Sequence, residues 1–193
     1  MKKQSKLVKR RRREGKTDYR KRLVLLTGQA TRLVVRKTNR YIILQLVASK
    51  QAQDSVICTM STQSLLNSGW PIEKSGSLKS LSAAYLTGFA LGKKMHAQIK
   101  GRVILDSGLI PTSKGSRVYA AVMGAVDGGL SIPFNKEVAP PQEKIERIEF
   151  FKKVKDNLEK DRNFSAEKTT AFSNKSMTKR KEVTNYIEGG KKK

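Results

Sequence analysis

Arg32-Leu33-Val34-Val35-Arg36, Lys37-Thr38-Asn39-Arg40 and Tyr41-Ile42-Ile43-Leu44-Gln45-Leu46-Val47 follow one another as strand, turn and strand. The outer runs are rich in β-branched residues, which suit a pleated backbone. The polar quartet between them contains an Asn that can take the left-handed conformation of a tight turn. Period-two alternation puts Arg32, Val34 and Arg36 on one face of the first strand and Leu33 and Val35 on the other. Such a ribbon buries an aliphatic side and offers guanidinium groups from the opposite one. Residues 55–60, after a polar turn at 50–54, extend the hairpin to a three-stranded antiparallel meander.

Upstream, Thr17 and Asp18 can cap a helix over 19–27 that carries Tyr19, Leu23 and Leu26 at spacings of three and four and stops at Gly28. Downstream, Gly69, Pro71 and Gly76 mark 64–77 as loop. Leu81, Tyr85, Phe89 and Met95 predict a helix over 78–99, and Gly88 and Gly92 suggest close approach of that helix to a sheet. A buried strand at 102–106 and a helix over 116–128 follow. The fold class is α/β: the meander plus helix-strand-helix forms a mixed sheet flanked by helices. Beyond Pro140-Pro141, residues 142–160 read as one charged amphipathic helix with Ile145, Ile148, Phe151 and Val154 on a stripe. The expected division is a basic arm (1–16), a core (17–137), a C-terminal helix (138–160) and a Lys-rich tail (161–193).

The formal net charge is +25 over 193 residues, and it is unevenly placed. Residues 1–50 carry 17 Lys+Arg and 2 acids, residues 51–142 carry 9 and 5, and residues 143–193 carry 15 and 9. Uncompensated charge of this density opposes compaction, and a polyanionic partner is the usual reason for it. One cysteine, Cys58, excludes a disulfide framework and a thiolate zinc site, and a reducing compartment is the default. The apolar run at 41–44 is far short of the ~20 residues that span a bilayer, and no apolar segment follows the basic N-terminus as in a signal peptide. A soluble, intracellular protein is expected, with no membrane and no small-molecule substrate.

Catalytic constellations are sparse. His96 is the single histidine, so neither a Ser-His-Asp triad nor a histidine metal cluster can be assembled within the chain. Cys58 reads as a small buried hydrophobe. Asp106, at a strand end, could with Asp127 and Asp18 form a carboxylate set for two-metal nucleic-acid cleavage. The better reading has Asp106 accepting backbone N–H groups of the following Ser-Gly turn. Gly88-Phe-Ala-Leu-Gly92-Lys93-Lys94 has the wrong spacing for a P-loop and sits inside a helix. Thr112, Ser113, Lys114, Ser116 and Arg117, around Gly115 at a helix start, form a better anion-binding candidate, with Ser116 also a plain N-cap.

The N-terminal third is the strongest functional feature. Lys9, Arg10, Arg11, Arg12, Arg13 and Lys16 supply point charges and forks for phosphate oxygens, with Thr17, Tyr19, Arg20 and Arg22 alongside. Arg32, Arg36, Lys37, Asn39, Arg40, Tyr41 and Gln45 add cations, donors and a stacking ring from the hairpin. Arginine interspersed with tyrosine suits RNA bulges and loops, where bases can be stacked and read on their edges. A general chromatin-type DNA binder and a nuclease on the same topology are the alternatives.

Several ordered motifs resemble one known family. They are Arg11-Arg12-Arg13-Glu-Gly-Lys-Thr17-Asp18-Tyr19, Arg32-Leu-Val-Val-Arg36-Lys-Thr-Asn39, Ala83-Ala84-Tyr85-Leu-Thr-Gly88, Leu105-Asp106-Ser-Gly108 and Gly115-Ser116-Arg117-Val-Tyr119, through Asp127-Gly-Gly-Leu-Ser-Ile-Pro133. Over residues 9–137 the chain resembles the 5S-rRNA-binding family numbered eighteen in the large-ribosomal-subunit series, in its archaeal or eukaryotic branch. The resemblance implies a ribonuclease-H-like mixed sheet, no catalysis and no cofactor or metal. It also implies a structural place in the central protuberance of the cytoplasmic ribosome, where 5S rRNA docks on large-subunit rRNA beside neighbouring ribosomal proteins. On that reading Asp106 and Asp127 are structural. Residues 138–193 follow no motif of the family.

Overall fold

The computed structural model describes residues 7–50, 53–99 and 101–160. β1 (Thr31–Lys37) and β2 (Ile42–Lys50) form the expected hairpin, β3 (Gln53–Ser61) completes the antiparallel meander, and β4 (Val103–Asp106) runs parallel to β1 on its other edge. The strand order is β3-β2-β1-β4, a four-stranded mixed sheet. Val35 stands opposite Leu44 and Leu33 opposite Leu46, so one face of the sheet is a continuous aliphatic surface. Leu33, Ile42, Leu44 and Leu46 on that face are fully buried. The Lys37–Tyr41 turn is not made by a left-handed Asn39. Gln29 is the one non-glycine residue with positive φ among the described residues, and Thr38 closes the turn through its hydroxyl and its N–H, both directed to the Tyr41 backbone.

α3 (Leu81–Met95) packs on β2 and β3, and α4 (Arg117–Asp127) packs along α3. Ser80 starts α3 by accepting the Ala83 N–H, three residues later than its periodicity suggests, and His96 ends it. Gly88 and Gly92 prove to be contacts between helices and not between helix and sheet. A Cβ at Gly88 would strike the Ala121 carbonyl, and one at Gly92 would lie 2.7 Å from the Ala125 carbonyl oxygen and the Gly128 Cα. Gly124 and Gly128 return the contact to Tyr85 and Phe89, so the two helices run side by side in the same direction with their backbones nearly touching.

The stretch 64–77, expected as loop, falls largely within two 3₁₀ segments, Thr62–Ser68 and Ile72–Ser77. Between them Trp70 is buried, donates from Nε1 to the Lys74 carbonyl and meets the Phe150 ring edge-on at 4.8 Å. The single helix expected over 142–160 is broken into α5 (Gln142–Ile145) and α6 (Phe151–Lys160). Ile145 and Phe151 are both buried, whereas an unbroken helix would set positions six apart about 120° from each other around its axis. The break lets both face the core, joined by Val154 and Leu158. Residues 161–193, expected as a tail, and the first six residues of the expected arm lie outside the described residues.

Candidate nucleic-acid interface

Within the expected basic arm, Arg10–Arg13 form α1, one helical turn with every residue exposed. Glu14 turns back to pair with Arg10 at 3.4 Å and Lys16 at 2.9 Å, and Gly15 supplies the positive φ for the reversal. Arg11 Nε donates to Thr17 Oγ1 at 2.8 Å. Asp18 then caps α2 (Tyr19–Thr27), its carboxylate accepting the N–H groups of Arg20 and Lys21. Lys9 Nζ lies 4.6 Å from the centre of the Tyr19 ring. The expected apolar stripe on α2 is only partly used: Leu23 is exposed beside Val24, whereas Tyr19, Leu25 and Leu26 are half-buried.

Arg32 requires a correction. It shares a strand face with Arg36, as its parity demands, but it is 2% exposed and its guanidinium points into the protein. One terminal nitrogen donates to Asp106 Oδ2 at 2.9 Å, the other to Asp54 Oδ1 at 2.8 Å and Ser49 Oγ at 2.9 Å. Arg22 reaches the same Asp54 from α2 at 2.7 Å. Burial alone would raise the Asp54 carboxyl, but hydrogen bonds from Ser49 and Arg22 and the charges of Arg32 and Arg22 outweigh it and hold it below its ordinary value. Arg32 and Asp54 thus lock β1, β2, β3, β4 and α2 at one point. Sequence parity could not reveal this, because the two carboxylates lie 22 and 74 residues away.

The cations at the hairpin tip are at the surface. Arg36, Lys37, Asn39 and Arg40 are exposed and Tyr41 is half-buried, while Gln45 donates to Thr59 Oγ1 at 3.2 Å. Asn39 offers its carbonyl to Lys79 Nζ. In the second candidate segment Thr112, Ser113, Lys114 and Arg117 are exposed. Ser116 occupies the N-cap position of α4, yet its Oγ makes no capping bond and is buried without a partner among the described residues.

A cleft joins several of the predicted residues. Arg11, Lys16, Thr17, Arg22 and Arg36 line it together with Lys21, which the sequence reading passed over. Lys21 Nζ donates to Ser107 Oγ at 3.2 Å and the Gly108 carbonyl at 3.3 Å, fastening α2 to the turn after β4. The 112–117 segment does not line this cleft.

The carboxylates imagined as a metal set are each committed elsewhere. Asp18 caps α2, Asp106 holds Arg32 and accepts the Gly108 N–H at 3.0 Å, and Asp127 accepts the Tyr85 hydroxyl at 2.7 Å. The turn role expected of Asp106 is therefore present, and the added Arg32 pair explains why the residue is an acid. Cys58 is buried, and burial pushes its thiol above its ordinary value, which suits a core residue and not a nucleophile.

An exposed cationic surface on a mixed α/β core agrees with the similarity of the whole sequence to known proteins. The family model for ribosomal large subunit proteins 60S L5 and 50S L18 matches residues 3–102 and 99–135. The chain belongs to this uL18 family. It is 43% identical over 159 residues to large ribosomal subunit protein uL18 of Korarchaeum cryptofilum, covering 81% of this chain and 80% of that one. Against the uL18 proteins of Methanoculleus marisnigri and Methanosphaera stadtmanae the identities are 44% over 136 residues and 39% over 158, covering 70% and 81% of this chain and 75% and 80% of theirs. Members of the uL18 family are structural, non-enzymatic components of the large subunit of the cytoplasmic ribosome and take part in translation beside rRNA and other ribosomal proteins. Among the described residues no helix is long and apolar enough to cross a membrane.

Proposed function

We propose that this chain binds 5S rRNA and helps attach it to large-subunit rRNA in the central protuberance, acting as a scaffold. The observation that carries the reading is the set of exposed cations running from α1 through α2 to the hairpin tip, in a chain of the uL18 family. The basic segment neutralises phosphates, Tyr41 and the hairpin cations engage unpaired bases, and Thr112, Ser113, Lys114 and Arg117 add a second phosphate contact. Arg32 is excluded from the contact set by its burial. The strand order, with β4 parallel to β1, supports the ribonuclease-H-like arrangement that the family resemblance implies. We also retain the division into basic arm, core and C-terminal extension as a functional one, the extension serving neighbouring components of the subunit.

With on the order of ten phosphate contacts, affinity should fall by several powers of ten between low and moderate salt. The deciding experiment compares 5S rRNA, an unrelated structured RNA and duplex DNA at moderate salt. Clear preference for 5S rRNA is expected. Equal binding to the unrelated RNA would remove the specific reading, and preference for duplex DNA would replace it.

A further inference from the structure

We propose that the cleft between α1, α2 and the turn after β4 receives a single nucleotide turned out of an RNA stack. This rests on the RNA-binding reading above and gives one part of that surface a defined occupant. The cleft has a volume of about 170 Å³, well below the ~300 Å³ at which sites for drug-sized ligands begin. That leaves room for one ring system.

The chemistry of the walls has two halves. Leu25, Val34, Leu109 and Ile110 supply apolar surface for a base. Among the cations of the rim, Arg22 and Lys16 are paired with Asp54 and Glu14. Among the described residues Arg11 and Lys21 are held only by neutral acceptors, Thr17 Oγ1 and the Ser107–Gly108 pair, so there their charges are oriented without a carboxylate partner. Arg36 is exposed and has no side-chain partner among the described residues. The carboxylates at the cleft, Asp18 and Asp106, are already engaged in the α2 cap and with Arg32. Three positive charges around an apolar floor, two of them oriented by neutral acceptors, fit a phosphate attached to a flat ring. A duplex keeps its bases stacked inside, so the nucleotide must be an unpaired one.

The test uses the full chain, 5S rRNA and chemical probing of 2′-hydroxyl reactivity nucleotide by nucleotide. Leu109→Asp places a carboxylate in the cleft at a position 52% exposed, and Leu23→Asp places one on the exposed side of α2 at a position 66% exposed, outside the cleft. Neither leucine belongs to the core. The wild-type chain should silence at least one unpaired nucleotide whose reactivity returns with Leu109→Asp and not with Leu23→Asp. Leu109→Asp should also bind roughly tenfold more weakly than Leu23→Asp, the effect of losing one base's contact with the aliphatic floor. Identical footprints and equal loss for the two variants would overturn the cleft proposal while leaving RNA binding intact. A wild-type chain that alters no nucleotide of 5S rRNA would overturn the RNA-binding reading, and this proposal with it.

Discussion

Arg32→Met separates a structural cation from an RNA-binding one. The guanidinium is 2% exposed and makes three hydrogen bonds of 2.8–2.9 Å, to Asp106, Asp54 and Ser49. Removing one partner of a buried ion pair costs about 3–5 kcal/mol, because the remaining charge is left without compensation. The lower end applies here. Asp54 keeps Arg22 and Ser49, and its side chain is 31% exposed, while Asp106 is 16% exposed and keeps the Gly108 N–H. The variant also relieves the Arg32 Nε of its burial without a partner. About 3 kcal/mol corresponds to a fall of roughly 1–2 M in the urea midpoint for a small protein, with the slope of the transition unchanged.

The same variant has a pH signature. A carboxyl held below its ordinary value of 3.8 in the folded protein contributes stability above that value and loses it as pH falls through the folded-state pKa. Wild-type stability should therefore decline as pH drops below about 4, and Arg32→Met should show a shallower decline. Its RNA affinity, measured where the variant is fully folded, should keep the wild-type dependence on salt. An unchanged urea midpoint together with a salt slope smaller by about one would show that Arg32 contacts phosphate, and would refute the structural role.

Four further outcomes are expected. Gly124→Ala drives a methyl group into the Tyr85 carbonyl and should cost about 3 kcal/mol in urea unfolding, whereas Gly76→Ala, which meets nothing within 4 Å, should change stability by less than about 0.5 kcal/mol. Trp70→Ala removes the edge-on contact with Phe150 and a buried indole, and should cost about 3–5 kcal/mol in the same assay. Burial first, then the hydrogen bond to Asp127 and the charges of Asp127, Glu146 and Glu159, raise the Tyr85 phenol above its ordinary 10.0, so stability should fall as pH rises past about 10 and fall less in Tyr85→Phe. Replacing Arg10–Arg13 with Ala should weaken all RNA binding alike, whereas Arg36→Ala or Tyr41→Ala should also erode the preference for 5S rRNA; equal loss of preference in both groups would contradict this division.

The parts of the fold that were legible in the sequence are those fixed by local chemistry. The β1–β2 hairpin follows from period-two alternation in β-branched runs, and the start of α2 follows from Asp18 acting as its cap. What was misread depends on partners distant in the chain. Glycine at 88 and 92 announces a close approach but not to what. The answer, Ala121 and Ala125 of α4, is fixed only when β4 has carried the chain back beside β1. The stripe of Ile145, Ile148, Phe151 and Val154 names three buried residues and a half-buried Ile148 but hides the helix break, since the pattern does not show where a core face bends. The interface divides in the same way. Composition locates the cations, yet whether a given one is available to a partner depends on where the few carboxylates fall. Asp54 and Asp106 withdraw Arg32, and Asp54 also restrains Arg22, while among the described residues Arg11 and Lys21 meet only neutral oxygens and stay available. The acids near this surface therefore act as its sorting elements. They determine which arginines build the platform and which remain charged toward RNA, so changing one acid should alter binding more selectively than removing one cation from the exposed run.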